Sequence, residues 1–161
     1  MSRTGHSYIK SKIIETNALL GGEMSGHIFF NDDWYGFDDA IYSALRMIEI
    51  LSKTKLTSHE VFNSYPKHFS TPEINLKVPE EEKFKIIDEL KTLINSSGYV
   101  LIDIDGIRLE NEKSWGLIRA SNTSPNLVLR FEGKTESDLL EIKNYFKELL
   151  SKIEIDLKLD F

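Results

Sequence analysis

The sequence predicts an α/β fragment followed by an α+β domain with a mostly antiparallel sheet covered by helices. Three observations predict this. Residues 1–54 read as helix, strand, helix, and a single strand cannot complete a sheet. From residue 73 onward, several short strand-like runs alternate with turn residues. Two amphipathic helical stripes flank those runs. The predicted organisation is therefore a fragment over 1–54, a linker or hinge over 55–72 and a small domain over 73–161.

In order along the chain, Ser7 can cap a helix over 8–16, with Ile9 and Ile13 one turn apart. Asn17 and Gly21-Gly22 read as breakers around the short apolar segment 18–20. A polar loop follows over 23–27, then Ile28-Phe29-Phe30 as strand. Asp38 or Asp39 caps a helix over 40–52, whose apolar stripe is Ile41, Leu45, Ile48 and Leu51. Thr57-Ser-His-Glu60 matches a capping box for a short helix reaching residue 65. Pro66 and Pro72 bound a linker or lead-in strand, and Ile74, Leu76 and Val78 alternate as in a half-buried strand.

Pro79 and Glu80 to Glu82 then favour a helix N-terminus, with the stripe Phe84, Ile87, Leu90 and Ile94 and a stop at Gly98. Residues 99–103 and 107–109 form a hairpin around Asp105-Gly106. Residues 115–120 and 127–131 are two further strands. Thr135 or Ser137 opens a last helix, with Leu139, Ile142, Phe146, Leu149 and Ile153 on one face. The tail, 154–161, alternates as an edge strand would.

The 161 residues are 40% hydrophobic and 29% charged, as in a globular protein. A net charge of -6 gives no general attraction to nucleic acid or to an anionic membrane surface. The absence of cysteine excludes disulfides, thiolate catalysis and cysteine-based zinc sites, and fits a reducing cytoplasm. No stretch approaches the roughly 20 apolar residues of a membrane span, and residues 1–6 carry no signal-peptide core.

Two loops carry the chemistry. In the first, Glu23, Ser25 and His27 alternate, so an extended segment places them on one face. A carboxylate, a hydroxyl and an imidazole suit adjacent sugar hydroxyls, while glycines at 21, 22 and 26 let the backbone approach a ligand. In the second, Arg119 offers bidentate geometry to phosphate, and Ser121 and Thr123 offer hydroxyls. A left-handed Asn122 would aim successive amides at one point as an anion nest. The competing readings are a solvated loop and a Ser/Asn turn that bonds only to itself. His6 is a candidate acid/base or phosphate donor, though a lone histidine is more often structural. Arg130 lies on the sheet face opposite Leu129 and Phe131, where it either supports the phosphate loop or is simply exposed. His59 and His68 read as solvent-facing. The pairs Asp32-Asp33 and Asp38-Asp39 resemble metal ligands only superficially, with capping the better reading of the second. No metal ligand set is assigned to this chain.

Taken together, Thr4-Gly5-His6-Ser7, Gly22-Glu23-Met24-Ser25-Gly26-His27, Asp105-Gly106-x-Arg108, Trp115-x-x-x-Arg119-x-Ser121-Asn122-Thr123-x-Pro125 and Leu127-x-Leu129-Arg130-x-Glu132 resemble the α-D-phosphohexomutases. The nearest branch is the bacterial phosphomannomutase/phosphoglucomutase type, and the resemblance covers nearly the whole chain. It implies the end of that family's third domain, a three-layer α/β/α domain, followed by its fourth, TATA-binding-protein-like domain. It further implies that Glu23, Ser25 and His27 hold the sugar, that Arg119, Ser121, Asn122 and Thr123 hold the phosphate, and that His6 and Arg130 lie at the active site. Met24 and the Asn122-Thr123 pair favour the mannose/glucose branch over glucosamine-type mutases, which tend to carry Ser-Gly-Thr at the second loop.

The family reaction moves phosphate between the 6- and 1-positions of a hexose through a hexose 1,6-bisphosphate, with Mg2+ as cofactor. This sequence has no Thr-Ala-Ser-His-Asn-Pro segment for the phosphoserine and no Asp-Gly-Asp-x-Asp-Arg segment for Mg2+. The family's third-domain lysine would fall before residue 1. The expectation is a C-terminal part, excised or from a truncated gene, that binds hexose phosphates in the cytoplasm, is inactive alone, and lacks N-terminal domains that complete it. A free sugar-phosphate-binding module and a phosphoglucosamine mutase fragment are the alternatives.

Overall fold

A computed structural model describes residues 1–95, 98–155, 157 and 159–161. The chain divides into two compact units, Met1–Pro66 and Lys67–Phe161.

In the first unit, α1 spans His6–Thr16 and begins at Gly5, whose φ of 125° turns the chain into the helix. Ser7 lies inside the helix and caps nothing, because Gly5 already accepts the first helical bond from the Ile9 amide. Asn17, with φ 51° and ψ 38°, ends the helix in a left-handed cap. Strands β1 (Leu20–Gly22) and β2 (Ile28–Phe30) then pair antiparallel, with Leu20 opposite Phe30. The expected single strand is thus a hairpin, and Gly21-Gly22 belongs to it rather than breaking it. A Cβ on Gly21 would lie 3.0 Å from both Ile9 and Ile13, so glycine here lets the strand close on the helix. Ile9, Ile13 and Phe29 form the small core, with Ala18 against it.

Helix α2 (Ala40–Ser52) starts at Asp39, whose carboxylate accepts from the Tyr42 amide. Its stripe is present, but Ile41, Leu45 and Ile48 are 78%, 57% and 61% exposed. A two-stranded hairpin is too narrow to cover that face. The side that does pack carries Tyr42, stacked on Trp34, and Arg46, which lies over Phe30 and pairs with Asp32 at 2.9 Å. Helix α3 (Ser58–Asn63) carries the capping box between Thr57 and Glu60 and ends two residues short of the expected limit.

In the second unit, β3 (Phe69–Ser70) and β4 (Ile74–Lys77) both pair with one edge of β8 (Asn126–Gly133). Between them Thr71 accepts the Phe131 amide on its hydroxyl, so β8 keeps its ladder past Pro72. The order continues through β7 (Ser114–Ala120), β6 (Ile107–Glu110) and β5 (Val100–Ile102), antiparallel throughout. Helices α4 (Lys83–Leu93) and α5 (Glu136–Leu150) contribute Ile86, Ile87, Leu90, Ile142, Phe146, Leu149 and Leu150 to one core with Ile118, Leu127, Leu129 and Phe131.

The acidic run 80–82 forms a turn ahead of α4 rather than its first turn, and Phe84 faces out while Ile86 takes its place inside. The helix closes at Ile94, before Gly98. Thr135, not Ser137, caps α5 through a capping box with Asp138. In the tail expected as an edge strand, Asp156 and Lys158 lie outside the described residues, and the described ones form no strand.

Candidate functional site

The first loop is the end of the β1–β2 hairpin. The Glu23 amide bonds to the His27 carbonyl, and the Gly26 amide to the Glu23 carbonyl. Residues 23–27 are therefore a tight turn, with Gly26 at φ 93°, and not the extended segment the alternation suggested. The turn still gathers the expected groups. The Ser25 hydroxyl donates to Glu23 Oε2 at 3.3 Å, and the Gly5 amide donates to Glu23 Oε1 at 3.3 Å. Glu23 thereby ties the hairpin to the start of α1, next to His6.

His27 Nδ1 lies 2.6 Å from Asp38 Oδ2, and His6 Nε2 lies 3.5 Å from the same oxygen. The two imidazoles meet edge to face with centroids 4.7 Å apart, and His6 also packs edge-on against the buried Phe29. The Ile28 amide donates to Asp38 Oδ1, and Asp38 bridges Phe29 through its backbone. The hydrogen bond from His27 holds the Asp38 carboxyl below the usual carboxylate range. This corner presents two carboxylates, a hydroxyl and two imidazoles on a partly open surface, a set able to bond polyol hydroxyls or to relay a proton.

The second loop joins β7 to β8. Register places Arg119 opposite Val128 and Arg130 opposite Leu117, so the two arginines are diagonal neighbours on the face away from the helices. Arg108, also opposite Leu117, shares that face but is engaged by Glu110 at 2.8 Å and by the Trp115 ring. Arg119 and Arg130 make no ion pair among the described residues, and the buried Arg130 Nε has no hydrogen-bond partner.

Within the loop, Ser121 is 7% exposed. Its hydroxyl accepts from the Thr123 and Ser124 amides and from the Ser124 hydroxyl. Asn122 does not adopt the left-handed backbone, since Asn17 is the one non-glycine with positive φ among the described residues. The amide nest expected here is therefore not formed: Ser121 draws those amides inward. Asn122 and Thr123 remain exposed at the tip. The Gly106 turn, with φ 87°, abuts the end of β7, where a Cβ would come 2.4 Å from the Ile118 carbonyl and 2.7 Å from Arg119 Cα.

Two contributors escape the sequence reading. Of the two candidate caps, Asp39 performs the capping, and Asp38 turns to His27 instead. Lys83 is buried beneath the second loop, donates to the Ser124 carbonyl at 3.4 Å and pairs with Glu80. A lysine one residue from a predicted apolar stripe position, three after a glutamate, was the available signal. His59 and His68 are exposed and engaged locally, by Asn63 and by Glu132.

Residues 1–69 match the family described as phosphoglucomutase/phosphomannomutase, alpha/beta/alpha domain III, and residues 73–149 match its C-terminal domain. A phosphomannomutase/phosphoglucomutase of Pseudomonas putida is 50% identical over all 161 residues, which are 35% of that protein. A phosphoglucomutase of Neisseria meningitidis is 48% identical over 93% of this chain and 33% of its own length. A probable phosphoglucosamine mutase of Methanosarcina barkeri is 31% identical over 85% of this chain and 30% of its own length. The crystal structure of a phosphoglucomutase/phosphomannomutase family protein from Burkholderia thailandensis superposes with a TM-score of 0.87 at 42% identity, over 98% of this chain and 33% of that one. The chain spans about a third of the length of these relatives. With two of that family's domains matched in order along it, the chain belongs to the phosphoglucomutase/phosphomannomutase family.

Proposed function

We propose that this chain is the substrate-holding part of a cytoplasmic phosphomannomutase/phosphoglucomutase, an isomerase that converts hexose 6-phosphate to hexose 1-phosphate. Residues 1–54 end the third domain, 55–72 serve as hinge, and 73–161 are the fourth. Glu23, Ser25 and His27 take the sugar hydroxyls, with His6 beside them as an acid/base or phosphate contact. Arg119, Ser121, Asn122, Thr123 and Arg130 take the non-reacting phosphate, and the Ser121 oxygen also holds their loop in shape. The observation that carries this reading is the Arg119–Arg130 pair. Two guanidiniums side by side, one with an orphaned buried Nε and neither ion-paired among the described residues, call for an anion.

The chain's own residues bind and orient a hexose phosphate; no group here is assigned to phosphoryl transfer. The family's Mg2+ does not fit them. Among the described residues the one cluster able to hold a metal is His6, His27 and Asp38, whose two imidazoles are poor ligands for a hard, oxygen-seeking ion. The chain alone is therefore inactive and binds weakly. The test is chemical-shift titration with mannose 6-phosphate and glucose 6-phosphate, beside a mutase assay with Mg2+ and hexose 1,6-bisphosphate. Shifts at both loops without turnover support the reading; turnover refutes it.

The bare apolar stripe of α2 favours a second reading, in which the chain completes a separately encoded N-terminal part. Activity restored on mixing the two parts would establish it, and absence of association at micromolar concentration would rule it out.

A further inference from the structure

We propose that His6, His27 and Asp38 form a binding site for one divalent transition metal of the zinc class. Their ligand atoms lie within 4.8 Å of one another and come from three separately anchored segments. His6 is on the first turn of α1, with its ring edge-on to the buried Phe29. His27 closes the β1–β2 hairpin. Asp38 is fixed by the Ile28 amide on its second oxygen and by its bridge to Phe29.

One of the distances already suits an ion, and a second reaches it by a small rotation. Two ligands on a tetrahedral zinc, each about 2.0 Å from the metal, are about 3.3 Å apart. His6 Nε2 to Asp38 Oδ2, at 3.5 Å, already has that separation and is long for a hydrogen bond. His27 Nδ1 to Asp38 Oδ2, at 2.6 Å, must open by about 0.7 Å, which a side-chain torsion supplies. Two imidazoles converge on one carboxylate oxygen, and a cation between the three can bond all of them.

The donor set, two imidazole nitrogens and one carboxylate oxygen, selects zinc, cobalt or nickel over Mg2+ or Ca2+. The side chains are 56%, 44% and 23% exposed for His6, His27 and Asp38, so solvent fills the fourth position and the ion exchanges. If His27 holds a sugar hydroxyl as proposed above, this ion competes with the sugar, and the site is inhibitory.

The test uses the 161-residue chain and metal alone, so its outcome is independent of the sugar reading. Zinc is titrated while the four histidine ring signals are followed by 15N NMR, with calorimetry for stoichiometry. The expected result is saturation at one equivalent, with the His6 and His27 rings shifting and those of His59 and His68 unmoved. His6→Ala and Asp38→Asn should each weaken binding at least tenfold, and the His59→Ala/His68→Ala double variant should leave it unchanged. Shifts confined to His59 or His68, no shift at all, or undiminished affinity after loss of His6 or Asp38 would overturn the proposal. The ring shifts are read on the unsubstituted chain, so a variant that fails to fold does not blur the result.

Discussion

Replacing Arg130 with methionine separates a binding role from a structural one. The side chain leaves β8 opposite Leu117, on the sheet face away from the helices, with Nε buried and partnerless. A buried donor without an acceptor costs about 1–3 kcal/mol in the unliganded protein. Methionine keeps an unbranched stem of similar reach and removes that donor, and no ion pair among the described residues is lost with it. Stability should therefore rise, by up to about 1–3 kcal/mol. Binding should move the other way. A charge-assisted hydrogen bond to phosphate is worth about 1.5–3 kcal/mol, so affinity for inorganic phosphate and mannose 6-phosphate should fall about 10- to 150-fold. Urea denaturation reads stability and amide shift titration reads affinity, with the exposed Lys134→Met as a control that should alter neither. A variant that loses more than about 1 kcal/mol of stability while phosphate affinity stays unchanged would show that Arg130 is a structural residue, and the argument from its orphaned Nε would fail.

Three further outcomes follow from the packing. Gly106→Ala forces a Cβ into the Ile118 carbonyl at a positive φ, so denaturation should show a loss of about 1–3 kcal/mol, with amide shifts reaching Arg119. The bare stripe of α2 should make the chain self-associate in light scattering, and Ile41→Glu with Ile48→Glu should return it to a monomer, because the stripe loses its apolar character. The Asp32 carboxyl is held low by the Asp33 amide and by Arg46, and that of Glu60 by the Thr57 amide and hydroxyl. Groups depressed in the folded state contribute stability above their ordinary range and lose it as pH falls through the folded value, so Asp32→Asn and Glu60→Gln should flatten the acid limb of a pH–stability curve.

Features fixed by a few neighbouring residues were legible in the sequence. Thr57-Ser-His-Glu60 and the cap at Thr135 are closed by bonds spanning three residues, and both form. Strands β6 and β7 alternate buried and half-buried residues, because one face meets the helices and the other does not. β1 could not be read this way. Leu20-Gly-Gly has the composition of a breaker, and it is a strand because glycine at 21 lets it lie against Ile9 and Ile13, a contact between segments. The stripe of α2 shows the complementary limit. Periodicity predicts that a face is apolar, while burial requires a surface to cover it, and the hairpin supplies too little.

The same distinction governs the site. Residue types identified both loops, since carboxylate, imidazole, guanidinium and hydroxyl groups carry their chemistry wherever they stand. What each group is free to do depends on bonds the types do not reveal. The type of Ser121 makes it a hydroxyl donor for an anion, and it does not reveal that the same oxygen accepts two amides of its own loop. Those amides are unavailable to a nest, so the burden of holding phosphate shifts to Arg119 and Arg130 and to the exposed tip at Asn122 and Thr123. Asp38 shows the converse. Beside Asp39 it looks like half of a capping pair, and nothing local says that its carboxylate turns back eleven residues to His27. Only closure of the hairpin, with its turn tied to Gly5 through Glu23, brings His6, His27 and Asp38 to one point. A cluster assembled by a turn and a helix start has no sequence period, so pattern reading cannot find it however strong its chemistry.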